Sequence, residues 1–232
     1  GLVTGGPPER DLDLHGAFDV GLHDAVLVGG VLLVVPLSGD DEGVTDGLFA
    51  SVGEVVSGMS YKEFMSKYLF EPLGMYHTFV FDPADGLPDQ ATISYKYNWV
   101  RDAVMFADGV YGDKGIYSTP QDMYRWDQSF YQNRLLDNET MELAYGPCSF
   151  EKPGIKNYGL GWRMLCYPAG YKVIYHNGWW HGNNTCFYRF IKDNFTIIVL
   201  GNKYNKGIYR QPPVLYSILK NTDSTGDFGG ED

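Results

Sequence analysis

Apolar residues change their spacing several times along the chain. From Ala25 to Leu37 they form an unbroken run, AVLVGGVLLVVPL, with neither a helical stripe nor strict alternation. Its 13 residues fall short of the roughly 20 that a membrane-spanning helix needs, so no membrane span is expected. Breaks at Gly29, Gly30 and Pro36 predict a buried strand or two, and the acidic flank at Asp24 is unlike a secretory leader. From about residue 57 the pattern turns helical. Ser60 followed by Glu63 forms a capping box, with Met59 and Phe64 placed as a hydrophobic staple. The spacing predicts a helix to about Phe70, stopped by Pro72 and Gly74. Thr119, Pro120 and Asp122 start a second helix that runs through Met123, Trp126 and Phe130. Residues 77–117 between them read as long loops with short extended pieces.

After Tyr158 the period shortens to that of strands. Leu160–Tyr167, Tyr171–His176, Thr185–Ile191 and Phe195–Leu200 are aromatic and β-branched runs separated by Gly, Pro, Asn and Asp, which predicts an antiparallel meander. A last helix over Ile208–Lys220 is expected to pack on it, and the tail from Asn221 to Asp232 has no apolar face and reads as disordered.

Composition alters this picture mainly at the ends. The 232 residues are 44% hydrophobic, enough for a substantial core, and the net charge of −11 argues against nucleic acid or anionic lipid as partners. Cys148, Cys166 and Cys186 are too few and scattered for a zinc site or a disulfide framework, although one bridge stays open. Residues 1–60 hold ten acids and one base, whereas residues 61–220 hold 15 acids and 17 bases. The first 60 residues also contain no Tyr, Lys, Asn, Ile, Trp, Gln or Cys, and Gly, Val, Asp, Ala and Glu fill 36 of those positions. All five have codons that begin with G. Two explanations compete for residues 1–56: a Gly/Val-rich subdomain, or a misread or foreign, poorly ordered segment. Residues 57–220 then form the consistent domain and 221–232 an acidic tail.

The densest polar cluster is Tyr175-His176-Asn177-Gly178-Trp179-Trp180-His181-Gly182. His176 is placed at the close of a strand, and Gly178 lets backbone come near a neighbour. Such a place suits a proton donor beside a backbone N–H aimed at a substrate oxygen; a turn histidine beside two core tryptophans is the competing explanation. A metal held by His176 and His181 lacks a third ligand at recognisable spacing.

Four pieces in order resemble the serine β-lactamase-like family, which spans class C β-lactamases, penicillin-binding proteins and esterases. They are Ser57-Gly58-Met59-Ser60 through Phe70-Glu71-Pro72-Leu73-Gly74-Met75 and Thr78; Gly112-Asp113-Lys114-Gly115-Ile116-Tyr117-Ser118-Thr119 with Asp122 and Trp126; Tyr158-Gly159-Leu160-Gly161-Trp162; and His176-Asn177-Gly178, which is similar to the family's Lys/His-x-Gly motif. The resemblance covers the C-terminal half of that family. It implies an α+β fold of the β-lactamase/transpeptidase type, an antiparallel sheet flanked by helices and incomplete at its N-terminus.

The resemblance also implies cleavage of an amide or ester through an acyl-serine intermediate, without a cofactor, on a small-molecule or peptide acyl substrate. His176 would polarise or bind the substrate, the backbone N–H of Trp179 would be an oxyanion donor, and Asn177, Gly178, Trp180 and Tyr117 would line the substrate. The nucleophile is not identified. The family's Tyr-x-Asn slot falls nearest Val44-Thr45-Asp46, and the two literal Ser-x-x-Lys matches, Ser149–Lys152 and Ser217–Lys220, come out of order and read as incidental. Periplasmic or extracellular location is implied, with no signal peptide recognised. The isolated chain is expected to be inactive; the rival is a non-catalytic peptide- or glycan-binding module that keeps the aromatic cleft of Trp179, Trp180, Tyr111 and Tyr117.

Overall fold

The computed structural model describes residues 25–28, 31–34, 42–149 and 154–221. Expectations for the acidic tail, and for the Lys152 half of one Ser-x-x-Lys match, lie outside the described residues. Within the apolar run, β1 (Ala25–Val28) and β2 (Val31–Val34) pair as an antiparallel hairpin. Helix α1 (Glu42–Ser57) follows, and the hydrophobic pattern did not announce it. Gly43, Gly47, Gly53 and five β-branched residues depress its helix propensity. Among its described side chains, Ala50 is buried, while Leu48, Val55 and Val56 are exposed.

Helix α2 (Tyr61–Met65) begins as predicted, with Ser60 and Glu63 closing a capping box. The helix does not stop at Phe70. A π-helical turn, Ser66–Phe70, carries it into α3 (Glu71–Leu73). Pro72 has no N–H and would press on the carbonyl four residues back in a regular α-helix, so a wider turn before it accommodates the ring. Gly74 ends the segment in the left-handed region, φ 71°, and the Met75 N–H reaches back to the Phe70 carbonyl at 2.8 Å. The sequence Pro-Leu-Gly-Met is thus a helix stop that drives Met75 into the core.

The two-stranded pair β3 (Phe79–Val80) and β4 (Ile116–Tyr117) brackets the expected loop region. Helix α4 (Pro120–Tyr131) has the expected Thr119 cap. Its buried Asp122 also accepts from the His77 N–H at 2.7 Å and the Thr78 hydroxyl at 3.0 Å, which fastens the loop after α3 to the start of α4. Helix α5 (Asn138–Ala144) is capped by Asp137.

The chain then builds a five-stranded antiparallel meander in sequence order: β5 (Lys156–Tyr158), β6 (Arg163–Cys166), β7 (Lys172–Trp180), β8 (Asn183–Phe190) and β9 (Phe195–Gly201). The expected run Leu160–Tyr167 contributes only its second half as a strand. Its first half is a turn in which Gly159 packs so closely on the Ala144 carbonyl that a Cβ would collide. A 3₁₀ turn, Lys206–Arg210, precedes α6 (Gln211–Lys220), so the last α-helix starts at the proline pair rather than at Ile208.

Alternation along the strands divides the core between two faces. On one, Met164, Ile174 and Phe187 pack with Trp162, Phe130 and Met141 from the α4–α5 layer. On the other, Leu165, Val173, Tyr175, Cys186 and Tyr188 pack with Ile208 and the partly buried Tyr216 of α6. Arg189 joins sheet to helix. Its Nε donates to Asp127 Oδ1 of α4 at 2.6 Å, both side chains are buried, and its guanidinium lies 4.9 Å from the Phe130 ring.

Candidate active site

Strand β7 has two different halves. It pairs with β6 only over Lys172–Tyr175, whereas β8 follows it from Ile174 to Trp180. Beyond Tyr175, therefore, one edge of β7 has no strand partner among the described residues. His176 is not the end of the strand, as its turn-like neighbours suggested, but its middle. Gly178 sustains the pairing because its missing Cβ leaves room for the Thr185 hydroxyl across the ladder.

His176 shares a face with Ile174, yet Ile174 is fully buried and His176 is exposed. The imidazole Nε2 lies 3.2 Å from the Tyr158 hydroxyl of β5, and the two rings meet edge to face at 6.2 Å. Tyr158 itself sits beneath the Arg163 guanidinium at 5.7 Å. Sequence reasoning had Tyr158 only as part of a motif; nothing in the spacing shows that an edge strand 18 residues away would deliver a hydroxyl to this ring. Next to it, Asn177 keeps both side-chain polar atoms buried with no hydrogen-bond partner among the described residues. A buried amide without partners is unfavourable by roughly 1–3 kcal/mol per group, which marks this position as unfinished rather than packed.

The rest of the polar cluster is held by Asp108, a residue the sequence did not single out. Its buried carboxylate accepts from the Trp180 indole N–H at 2.6 Å, His181 Nε2 at 2.7 Å and the Met105 N–H at 2.7 Å. Burial alone would raise its pKa, but these three hydrogen bonds and the nearby imidazole outweigh burial and hold it below the usual carboxylate value. Trp180 is further covered by Lys114, whose Nζ lies 4.6 Å from its ring. Trp179, in contrast, is 61% exposed, with its indole N–H donating to the His181 carbonyl at 2.9 Å. His181 turns the β7–β8 hairpin in the left-handed region, φ 52°.

Tyr117 lies in β4, half-buried, stacked on Phe79 at 5.3 Å. Burial raises its pKa, and the Asp108 carboxylate adds to the rise. The structure thus brings Tyr117, Trp180 and His181 into the surroundings of one carboxylate, while His176 and Asn177 lie further along β7. His176 and His181, once weighed as a metal pair, have separate partners, and no group of three metal-ligating side chains occurs among the described residues.

Of the two Ser-x-x-Lys matches, the one described in full stays away from this edge, while Ser149 of the other reaches the Tyr158 carbonyl with its backbone N–H at 3.3 Å. Ser217 is buried in α6 and donates to the Val214 carbonyl at 2.9 Å, while Lys220 pairs with Asp193 at 2.9 Å. The other quoted motifs serve as stitching. Thr78 and Asp122 tie two of them together, and Trp126 stacks on Trp162 at 5.6 Å.

The comparisons with known proteins agree with this layout. A family model described as Beta-lactamase matches residues 43–211. A penicillin-binding protein of Bacillus subtilis is 30% identical over 180 residues, covering 71% of this chain and 40% of that protein. The crystal structure of a penicillin-binding protein from Bacillus halodurans superposes with a TM-score of 0.68 at 20% identity, over 76% of this chain and 55% of that one. A D-amino acid amidase from Ochrobactrum anthropi gives a TM-score of 0.59 at 19% identity, over 78% and 57%. The chain spans less than half the length of the curated relatives it matches. With a matched core, the four motif pieces in order and this sheet topology, the chain belongs to the beta-lactamase family.

Proposed function

We propose that this chain supplies one wall of the acyl-transfer site of a serine hydrolase. The observation that carries the reading is the exposed imidazole of His176, bonded to the Tyr158 hydroxyl, on the stretch of β7 that has β8 on one side and no strand on the other among the described residues. In this reading a serine hydroxyl attacks the carbonyl carbon of an amide or ester. Its proton passes through a base to the leaving group, and water later releases the acyl group. His176 orients the carbonyl substrate, the backbone N–H of Trp179 donates to the oxygen as negative charge builds on it, and Asn177 pairs its amide with the substrate. Gly178 keeps the edge low enough for approach, and Trp180 and Tyr117 border the acyl group. Relatives named as penicillin-binding protein, beta-lactamase and D-amino acid amidase all fit acyl substrates of this kind.

In our reading Ser217 is not the nucleophile, since it is buried in a helix that packs the far face. The site would act in a periplasm or outside the cell, as the bacterial relatives suggest. Among the described residues no helix is long and apolar enough to cross a membrane.

A chromogenic cephalosporin and a p-nitrophenyl ester test the reading. This chain alone should give no turnover sensitive to a serine-acylating reagent, and such turnover would overturn the reading that it supplies only one wall of the site. In a longer parent protein, His176→Ala should lower kcat/KM by about a hundredfold, the scale of losing one aligned polar group at an acyl site. An unchanged kcat/KM would remove His176 from the site.

A further inference from the structure

We propose that Tyr158 is a positioning residue for His176: its hydroxyl donates to Nε2, which leaves the proton of the neutral imidazole on Nδ1 and makes Nδ1–H the ring's one donor. The chemical use of that donor rests on the acyl-site reading above. The two residues stand 18 positions apart in the chain, and the Tyr158 oxygen lies 3.2 Å from Nε2. Their rings meet edge to face, 6.2 Å apart at 90°.

Strand register explains why the partner is a tyrosine. Tyr158, the last residue of β5, stands opposite Arg163, the first of β6, which in turn stands opposite Tyr175 of β7. His176 lies one residue past that row, with no strand on the β6 side among the described residues. Two strand spacings, roughly 9–10 Å, separate β5 from β7. A tyrosine crosses that gap past the end of β6 and delivers an oxygen. Phenylalanine has the same shape but stops one atom short, and serine or threonine does not reach.

Both partners are placed by backbone bonds of their own. The Tyr158 carbonyl accepts from the Cys148 N–H at 2.7 Å, and its N–H donates to Asn157 Oδ1 at 2.8 Å. The N–H of the following Gly159 donates to the Trp162 carbonyl at 2.8 Å. His176 is set by its pairing with Phe187 of β8. The hydroxyl therefore meets the ring in a fixed geometry, as a supporting residue must.

Two arrangements fit an oxygen beside Nε2: the O–H given to the nitrogen lone pair, or an Nε2–H given to the oxygen. The Arg163 guanidinium decides between them. It lies 5.7 Å from the Tyr158 ring, within reach of a cation–π contact. Positive charge over the ring draws density from the phenol oxygen, which strengthens the O–H as a donor and weakens the oxygen as an acceptor. With Nε2 accepting, the proton of the neutral ring sits on Nδ1. Isolated histidine side chains favour the opposite form, so the neighbours impose this one. Nδ1–H can only donate, and in the acyl reading it selects an acceptor, a carbonyl or carboxylate oxygen, over an ammonium group.

Long-range proton–nitrogen NMR spectra of this chain, isotopically labelled, test the assignment at about pH 8.5, roughly two units above the ordinary histidine value, where imidazoles are neutral. His176→Ala identifies the His176 signals by their loss. Nδ1 should resonate as a protonated, pyrrole-type nitrogen and Nε2 as a lone-pair, pyridine-type nitrogen. Tyr158→Phe should move the tautomer ratio toward Nε2–H by about five- to tenfold, the scale of one hydrogen bond, with the His181 signals and the melting temperature unchanged. A tyrosine that only packs would do the reverse, lowering the melting temperature and leaving the ratio alone. An Nε2–H ring in the unaltered chain, or an unchanged ratio in Tyr158→Phe, would overturn the proposal, and the first of these is read without any variant folding. Turnover enters neither measurement, so a failed tautomer assignment leaves the acyl wall standing, while a parent protein indifferent to His176→Ala removes the acyl wall and leaves the tautomer.

Discussion

The inner and outer halves of β7 are one continuous strand with opposite uses. Val173 and Ile174 are fully buried between two layers, and Ile174 and Tyr175 are paired on both sides. From His176 onward the same strand has one partner, carries exposed or half-exposed side chains, and leaves the Asn177 amide buried without a mate. The inner half is finished by packing. The outer half is held in shape by groups beneath and beside it, Asp108, Tyr158 and the 94–95 segment, while the Asn177 amide keeps no partner among the described residues. A strand anchored in the core can thus present a rigid edge, because the anchoring energy is gained several residues away from the chemistry.

Three experiments probe that division, and the inner half should respond most. Asp127→Ala removes the partner of buried Arg189, which pairs with Ile174 across the sheet. A buried guanidinium left unpaired should destabilise the fold by about 3–5 kcal/mol, read by urea unfolding. A loss under about 1 kcal/mol would show that Tyr145 and the surrounding rings suffice to hold the cation.

An intermediate effect is expected at the support beneath the outer half. Because hydrogen bonds hold the folded Asp108 below its ordinary pKa, the unfolded chain binds its proton more readily than the folded one. Its stabilisation is therefore complete above the unfolded value of about 4 and is lost as pH falls through the folded value. Acid titration of tryptophan fluorescence should show the hairpin tip loosening below about pH 4, and Asp108→Asn should flatten that dependence and lower stability near neutral pH by about 1–2 kcal/mol. An unaltered acid profile in the variant would assign the loosening to other carboxylates.

The smallest effect on stability belongs to the edge itself. His176→Ala and Tyr158→Phe should each shift unfolding by no more than about 0.5 kcal/mol, since the imidazole is exposed. A drop comparable to that of Asp127→Ala would make the two halves of β7 equivalent and turn His176 into a structural residue.

Local signals were legible where a short stretch of chain decides its own conformation. The Ser60 capping box, the Thr119-Pro120 start and the meander all follow from neighbours within a few residues. The π-helical turn was not legible, because it answers a steric demand from Pro72 that periodicity does not carry. Helix α1 was missed for a different reason: its glycines and β-branched residues argue against helix. At the site, the His176-Asn177-Gly178 motif could be read and its neighbours could not. Tyr158, Asp108 and Ser94 reach the cluster from 18, 73 and 88 residues away, and loops carry no period that announces such meetings.

By itself, then, the order of residues determined the family, the antiparallel meander and the place of a polar motif on one of its strands, since caps, alternation and turn residues act over a few bonds. The folded chain alone decided that His176 stands mid-strand, with no strand on one side among the described residues, and that Asp108 gathers Trp180 and His181. Those outcomes depend on which surfaces are left uncovered after the core closes, and burial is a property of the whole packed chain.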